Sequence, residues 1–582
     1  MKSRTEKLNA LLRRGLFNIP SYQRAYSWEE SHLQDLLNDL QYLPPSTQHF
    51  FGNIVVDQKD DQFRTDRGRR LDIFDVVDGQ QRLTTAIILL FAAGEADEAV
   101  KETIKEDSIL FPVDERPRLL PDQDEEYFRD SLLGESNLSA ETPSQKRLKE
   151  AYDFCKDRLE NLSPGISIQQ LVEKLRYELI INVVELEGES EAAAIFESLN
   201  DRGKDLSSLD KTKSFLMYMD DRSSQRGALK SKLNNRFGKI FRELFVLSNG
   251  HQRAKDFDEG SFQQYHWGLY DGYDSDEYYR GLATLKKRLR HLYRDERYDE
   301  IQSRIEDYSR SLREASSAFS ALFKPYERDE VVESELDRLL TLGRVANVFP
   351  VLMASHLRWG DENPEEMASI VDACETLVFR VYAIDRRRSD TGRGRLVALA
   401  HQISTGERSN PSDAIDGIYE ITRDYVPDER FERDLRDPGF YDSITSRDIR
   451  YLIFHYSQNL DTEMKEETGD LSKILSENFQ VEHILPRGLP QKKLPSKLQG
   501  EFDEHVDRLG NLTIASRYWN SSYGNLPFSE KKTSGSQRET SYSSSTIRAQ
   551  RVLADISRFN REVIDGREDQ IVDFVLDEWS LD

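Results

Sequence analysis

Phe74-Asp75-Val76-Val77-Asp78-Gly79-Gln80-Gln81-Arg82-Leu83-Thr84-Thr85 passes from an apolar strand to an apolar helix across a single Asp-Gly turn. Phe74 to Val77 reads as a short buried strand, and Leu83 to Ala93 as a buried helix. The stretch therefore places a mixture of strands and helices in the first part of the chain. A helix N-terminus presents unbonded N–H groups and a partial positive charge, so it is a ready phosphate site. Gly79 lets the backbone approach an anion closely, and Arg82 can add a bidentate contact. The competing reading makes Asp78 a helix cap and nothing more. No G-x-x-x-x-G-K-[ST] run occurs, so a P-loop is excluded.

Working outward, Phe51 to Val56 and Leu179 to Leu186 read as further strands, and Ala192 to Leu199 as a helix. The charged run Asp57 to Arg70 reads as a hairpin or an insertion. A second polar motif, Ile19-Pro20-Ser21-Tyr22-Gln23-Arg24-Ala25-Tyr26-Ser27-Trp28, lies upstream. Arg24 can clamp the same anion as Arg82, and Tyr22, Tyr26 or Trp28 can stack on a base; alternatively the aromatics are core. Residues 216–440 read as almost wholly helical, with apolar residues at helical spacing such as Val332, Leu336, Leu339 and Leu340. Gly392 to Gly394 and Thr405 to Ser412 are loop candidates. Arg380, Arg386, Arg387, Arg388, Arg393 and Arg395 form a basic cluster that either tracks a DNA backbone or pairs with nearby acids. In the last part, Thr533 to Thr546 reads as a flexible loop, followed by a helix from Ile547 and another ending near Trp579. The parts fall at about 1–215, 216–440 and 441–582. The fold class is α+β and predominantly helical.

The clearest chemistry is C-terminal: Glu482-His483-Ile484-Leu485-Pro486, then Leu509-Gly510-Asn511-Leu512-Thr513, then Asn520, then Lys531-Lys532. Phosphodiester hydrolysis needs an activated water and something to absorb charge on the leaving oxygen. A histidine near its ordinary pKa of about 6.5 can take the proton of that water. A hard divalent cation, Mg2+ or Mn2+, can stabilise the phosphorane. In this reading Val481 to Leu485 is a strand that projects His483 into a cleft, and Asn511 pins the hairpin through backbone bonds. Asn520 opens the following helix and offers an oxygen to the metal, with Glu482 or a neighbouring carboxylate as a further oxygen ligand. Lys531 or Lys532 contacts a phosphate. The competing reading makes His483 a turn histidine before a proline. His505 has no such company and reads as a surface residue.

Composition bounds these readings. The 582 residues carry 106 acidic against 81 basic side chains, a net charge of -25, so any nucleic-acid site must be a local basic patch. Two cysteines, Cys155 and Cys374, allow neither a disulfide framework nor a cysteine-rich zinc site. No apolar run approaches the roughly 20 residues of a membrane span, and Met1 to Phe17 lacks the apolar core of a signal peptide. A reducing cytoplasm is the expected compartment.

The acidic-His pair, the aliphatic-x-Pro tail, Asn-Leu and a last Asn nine positions on resemble the HNH, or His-Me finger, nucleases. This chain departs from the commonest versions by lacking zinc-binding Cys pairs and by having Asn as its final ligand. The Tyr-Gln-Arg-x-Tyr-x-Trp and Asp-Gly-Gln-Gln-Arg motifs resemble the ParB-like N-terminal domain of GmrSD-type type IV restriction enzymes. Asn200-Asp201-Arg202-Gly203-Lys204-Asp205-Leu206-Ser207 is similar to a third motif of that domain. The resemblance implies binding and hydrolysis of a nucleoside triphosphate at Gln23, Arg24, Asp78, Gly79, Gln80, Gln81 and Arg82, with Asn200, Asp201, Arg202 and Lys204. It implies cleavage of double-stranded DNA bearing modified bases by the C-terminal ββα-metal domain, in anti-phage defence, under nucleotide control. A homodimer would suit double-strand cleavage by a single-site nuclease. Alternatives are an effector nuclease acting on unmodified DNA or RNA, and a nucleotide-gated DNA-binding sensor that does not cleave.

Overall fold

The computed structural model describes residues 2–20, 25–44, 47–64, 70–106, 119–121, 124–133, 139–162, 165–186, 207–225, 227–250, 259–323, 330–360, 363–460, 471–532 and 540–581. The chain divides into two compact units, residues 1–263 with 280–317, and residues 264–279 with 318–582. Both are mainly helical. No helix among the described residues is long and apolar enough to cross a membrane.

The first unit is built on a six-stranded mixed sheet. Its strands are β1 (Lys2–Lys7), β2 (Gly15–Ile19), β3 (His49–Arg64), β4 (Arg70–Asp78), β5 (Leu119–Pro121) and β6 (Leu179–Leu186), in the order β1-β6-β3-β4-β2-β5. β3 and β4 form a central antiparallel pair, with parallel β6 on one side and parallel β2 on the other. Alternation along these strands separates two apolar sets. Ile54, Val56, Phe74, Val76, Ile181 and Val183 join the main core, whereas Val55, Val77, Val184 and Leu186 cluster separately. The main core is completed by helices α1 (Leu8–Arg14), α2 (Glu30–Tyr42), α3 (Gln80–Ala96), α4 (Glu98–Glu106), α5 (Pro143–Glu160) and α6 (Ile168–Tyr177). α3 is apolar on nearly every face and runs through the middle of this core.

Several expectations were extended by the structure. The run Leu179 to Leu186 is a strand from end to end. The charged stretch after Val56 does not interrupt its strand: β3 continues to Arg64, and β4 begins at Arg70. Lys59 neutralises Asp57 and Asp75 at 3.2 and 3.0 Å, which lets the charges stay in the ladder. The residues of the expected helix Ala192 to Leu199 lie outside the described part.

The second unit is helical through its first part, including Glu330–Leu342, Phe349–Trp359, Pro364–Leu377, Arg393–Thr405, Pro411–Tyr425 and Ser446–Asn459. The expected loop at Gly392 to Gly394 is shorter than read, because Gly392 in the left-handed region starts the helix at Arg393. Beyond them lies the only two-stranded sheet among the described residues, β7 (Phe479–His483) with β8 (Leu512–Ser516). The expected flexible loop Thr533 to Thr546 is, from Thr540 on, a packed segment. Tyr542 is fully buried there against Tyr523 and Phe528, which holds its neighbours in place.

Candidate active site

β7 and β8 pair antiparallel, with His483 opposite Leu512 and Glu482 opposite Thr513. A short helix, Arg517–Tyr523, follows β8 at once, capped by the Ser516 side chain on the Trp519 N–H. This strand-strand-helix unit puts three sequence-predicted residues on successive elements: His483 ends β7, Asn511 precedes β8, and Asn520 lies on the helix.

Asn511 is fully buried and bonds only to backbone. Its Oδ1 accepts from the Leu485 N–H at 2.9 Å, and its Nδ2 donates to the carbonyls of Leu485 and Val506 at 3.0 and 2.7 Å. The side chain thus fastens the turn leaving β7 to the turn entering β8. Gly510 beside it is required by close approach. A Cβ there would stand 2.2 Å from the Ile564 carbonyl oxygen of the helix Arg561–Glu578. Arg567 of that helix donates to the Gly510 carbonyl at 2.9 Å.

His483 is held by a residue that sequence reasoning missed. Its Nε2 lies 3.0 Å from Oδ1 of Asp507, and both side chains are largely shielded. The same Asp507 oxygen accepts from Arg487 Nε at 2.7 Å, and Arg487 reaches Asp442 at 2.6 Å. Tyr441 stands edge-on to the imidazole with centroids 4.4 Å apart, and Arg487 lies over the Tyr441 ring. A carboxylate facing an arginine can only accept, so the hydrogen sits on Nε2 and Nδ1 is left with its lone pair. Burial pushes the imidazole below its ordinary pKa, and Asp507 offsets part of that shift. No spacing rule links Asp507 to His483; the turn before Asn511 brings them together. The only available signal was an acidic residue four positions before an already suspected asparagine.

The residues expected to hold metal and phosphate also make contacts within the protein. Glu482 faces the interior, where it is bonded to Lys531 and accepts from the Tyr542 hydroxyl at 3.4 Å. Lys531 is fully buried and also donates to the His483 carbonyl at 2.8 Å. Burial raises the Glu482 carboxyl and lowers the Lys531 ammonium, each against the pull of the other. Lys532 donates to the Ile556 carbonyl at 2.9 Å. Asn520 donates its Nδ2 to Gln480 Oε1 at 2.7 Å. Gln480 precedes His483 by three residues, about 10 Å along a strand and on its other face. Glu482 is thus engaged by Lys531, and Asn520 by Gln480, which lies on the same face of β7 as Glu482. Among the described residues, the carboxylate group with ligand spacing is Glu335, Asp372 and Glu375, and Arg338 already pairs with Glu335 and Glu375. His505, read as a surface residue, is buried beside Arg508, whose Nη1 lies 3.1 Å from its Nδ1.

The arginine cluster is stitched into the second unit. Arg380 is fully buried and pairs with Asp428, and Arg387 pairs with Asp385 at 2.7 Å. Arg386 donates to the Ser443 carbonyl at 3.0 Å, and Arg388 pairs with Asp390 at 3.2 Å. Arg393 donates to Asn347 and Arg395 pairs with Asp424. Of the three arginines expected to meet phosphate, Arg387 is thus paired with an acid while half-buried, and Arg386 and Arg388 are exposed.

In the first unit, Gly79 adopts φ +88° at the N-terminus of α3. A Cβ there would meet Ile54 at 2.8 Å and the Asn53 carbonyl at 3.0 Å. Gln81 clamps the upstream motif: its Nε2 donates to the Ala25 carbonyl at 3.2 Å, and its Oε1 accepts from the Ser27 N–H at 2.8 Å. Tyr26 is buried, with its hydroxyl 2.7 Å from Thr85 Oγ1, so its ring is core and does not stack on a base. Arg82 is half-buried above Gly52 and has no ion-pair partner among the described residues. Gln80 is buried and Asp78 half-buried. Gln23 and Arg24, like Asn200, Asp201, Arg202 and Lys204, lie outside the described residues.

Residues 6–217 match the family model of the GmrSD restriction endonuclease N-terminal domain, and residues 425–574 that of the GmrSD restriction endonuclease C-terminal domain. No curated protein matches the chain. The two family matches cover more than half of the chain, take in both candidate sites, and occur in N- to C-terminal order. The chain belongs to the GmrSD restriction endonucleases.

Proposed function

We propose that this restriction endonuclease is a nucleotide-regulated, modification-dependent DNA nuclease of prokaryotic anti-phage defence, with His483 as its general base. The observation that carries the reading is the His483–Asp507 pair at the end of a hairpin fastened by Asn511. His483 Nδ1 takes the proton of the attacking water as its oxygen bonds to phosphorus, and the bond from phosphorus to the leaving oxygen breaks. Asp507 accepts the Nε2–H throughout and stabilises the imidazolium that forms. A divalent cation would supply charge neutralisation at the leaving oxygen. Asn520, with Glu482 or a neighbouring carboxylate, would hold it, and no step is drawn through it.

The nucleotide site proposed for the first unit centres on the N-terminus of α3. Gly79 is required at that turn by its positive φ and by the crowding of Ile54 and the Asn53 carbonyl, and Arg82 offers a guanidinium with no ion-pair partner among the described residues. Gln81 acts there by positioning, since both ends of its amide hold the Ala25–Ser27 backbone.

The test is cleavage of matched plain, glucosylated-hydroxymethylcytosine and phosphorothioate duplexes in Mg2+ or Mn2+, with and without each NTP. The reading expects cleavage of one modified DNA, lost in His483→Ala and dependent on nucleotide. Equal cleavage of all three would remove the modification dependence. Cleavage that survives in His483→Ala would remove the general base.

A further inference from the structure

The stretch Arg487-Gly488-Leu489-Pro490-Gln491-Lys492-Lys493-Leu494-Pro495-Ser496-Lys497-Leu498-Gln499-Gly500 carries four cations and no acid, in a chain whose net charge is -25. Its shape separates charge from apolar surface. Leu489, Leu494 and Leu498 are buried in the core that also contains Ile484 and Leu485, whereas Arg487, Lys492, Lys493 and Lys497 are exposed. Pro490 and Pro495 each precede a short 3-10 turn, Gln491–Lys493 and Ser496–Leu498. Fixed proline dihedrals and three apolar anchors hold the segment in one conformation, so little order remains to be imposed on binding.

Lys492 and Lys493 differ from the basic groups that the sequence pointed to as phosphate contacts. Lys492 and Lys493 have no ion-pair partner among the described residues, whereas Lys531 is buried and Arg386, Arg387 and Arg388 bond to acids or carbonyls. Lys497 pairs with Glu562 only at the surface. The segment also begins beside the candidate base, because Arg487 shares the Asp507 oxygen bonded to His483. A rigid, lysine-bearing segment with no acid of its own, next to a hydrolytic histidine, matches a polyanionic backbone.

We propose that the outer face of Arg487–Lys497 is a DNA-backbone contact of this enzyme, with Lys492 and Lys493 bonding to phosphates that flank the scissile one. Its placement beside the scissile bond rests on the reading of His483 as the base; its contact with duplex does not.

The test is binding of a fluorescent, unmodified 30-bp duplex in EDTA at several salt concentrations, with full-length protein carrying His483→Ala so that cleavage cannot interfere. K492A/K493A in that background is expected to bind about tenfold more weakly at low salt. Its slope of log Kd on log salt should flatten by about 1.8, the loss of two phosphate contacts. R395A/R433A removes two exposed cations paired with Asp424 and Asp434, and should leave affinity and slope unchanged. Unchanged binding by K492A/K493A, an equal loss in R395A/R433A, or no low-salt binding by the parent would each overturn the proposal. Wild-type protein that binds through these lysines yet never cleaves would overturn the nuclease reading and leave this one standing. The four side chains substituted in the His483→Ala background are exposed, and a thermal melt checks that the folds are equal.

Discussion

At the level of single residues, the partner of His483 decides what the site can do. Asp507→Ala removes the acceptor on Nε2, so the tautomer with a free Nδ1 is no longer held. Cleavage is expected to fall about 10²-fold with substrate affinity little changed, a split that single-turnover kinetics reads directly. Burial depresses the His483 pKa in the folded protein. Its neutral form therefore persists below the ordinary value of about 6.5, and if His483 is the proposed base the acid limb of kcat/KM should lie below that pH. Asp507 raises the pKa, so any residual activity of Asp507→Ala should show an acid limb at still lower pH. Glu482 and Lys531 belong to a different class. Truncating either one leaves a buried charge without its partner and should cost about 3–5 kcal/mol, whereas a double replacement by neutral side chains of similar volume should cost less. Chemical denaturation of E482Q, K531M and the double variant measures the difference. His483 stood out in the sequence because its motif is local. The inward turn of Glu482 and Lys531 was not legible, since an acid and a lysine 49 positions apart advertise no pairing.

At the level of elements, the two short motifs act through backbone. Asn511→Ala would strand the Leu485 N–H and two buried carbonyls, a loss on the order of 3 kcal/mol with the hairpin loosened. Asn511→Asp should not rescue it, because a carboxylate cannot donate to those carbonyls. Thermal melts of the two variants check both statements. The backbone role of Asn511 could be anticipated from its place on the return of a hairpin. The need for Gly510 could not, because it comes from Ile564 of the helix Arg561–Glu578, 54 positions later in the chain. In the first unit, the strand, Gly turn and helix around Gly79 were readable from a change of apolar period. The length of β3 was not, because its charged outer half is held by cross-strand pairing to β4 and not by apolar alternation.

At the level of the whole molecule, charge is managed by internal pairing. Replacing Arg386, Arg387 and Arg388 by alanine should lower the melting temperature while leaving DNA affinity unchanged, the reverse of what a phosphate-tracking cluster would do. Acid stability supplies a second check. His266 is fully buried, and its pKa is pushed down to about 3. As pH falls below about 6.5 the unfolded chain binds a proton that the folded one refuses, so the contribution of this group is intact above that value and lost progressively below it. His266→Phe should flatten this part of the stability profile if the ring is accommodated, as urea titrations between pH 7 and 4 would show.

Local patterns determined much of this protein: the mainly helical class, the strands around Val76 and Leu179, and the motif pairs that place it among the GmrSD restriction endonucleases. Each is written in neighbours a few positions apart, where periodicity and turn chemistry act without reference to the rest of the chain. Tertiary structure decided which charged side chains face solvent and which are spent inside. Asp507 reached His483, Lys531 was withdrawn from the surface, and Lys492 and Lys493 were left on it. The reason is physical: burying a charge is tolerable only beside a partner, and partners in a fold are chosen by packing, which brings together residues whose separation in sequence carries no signal.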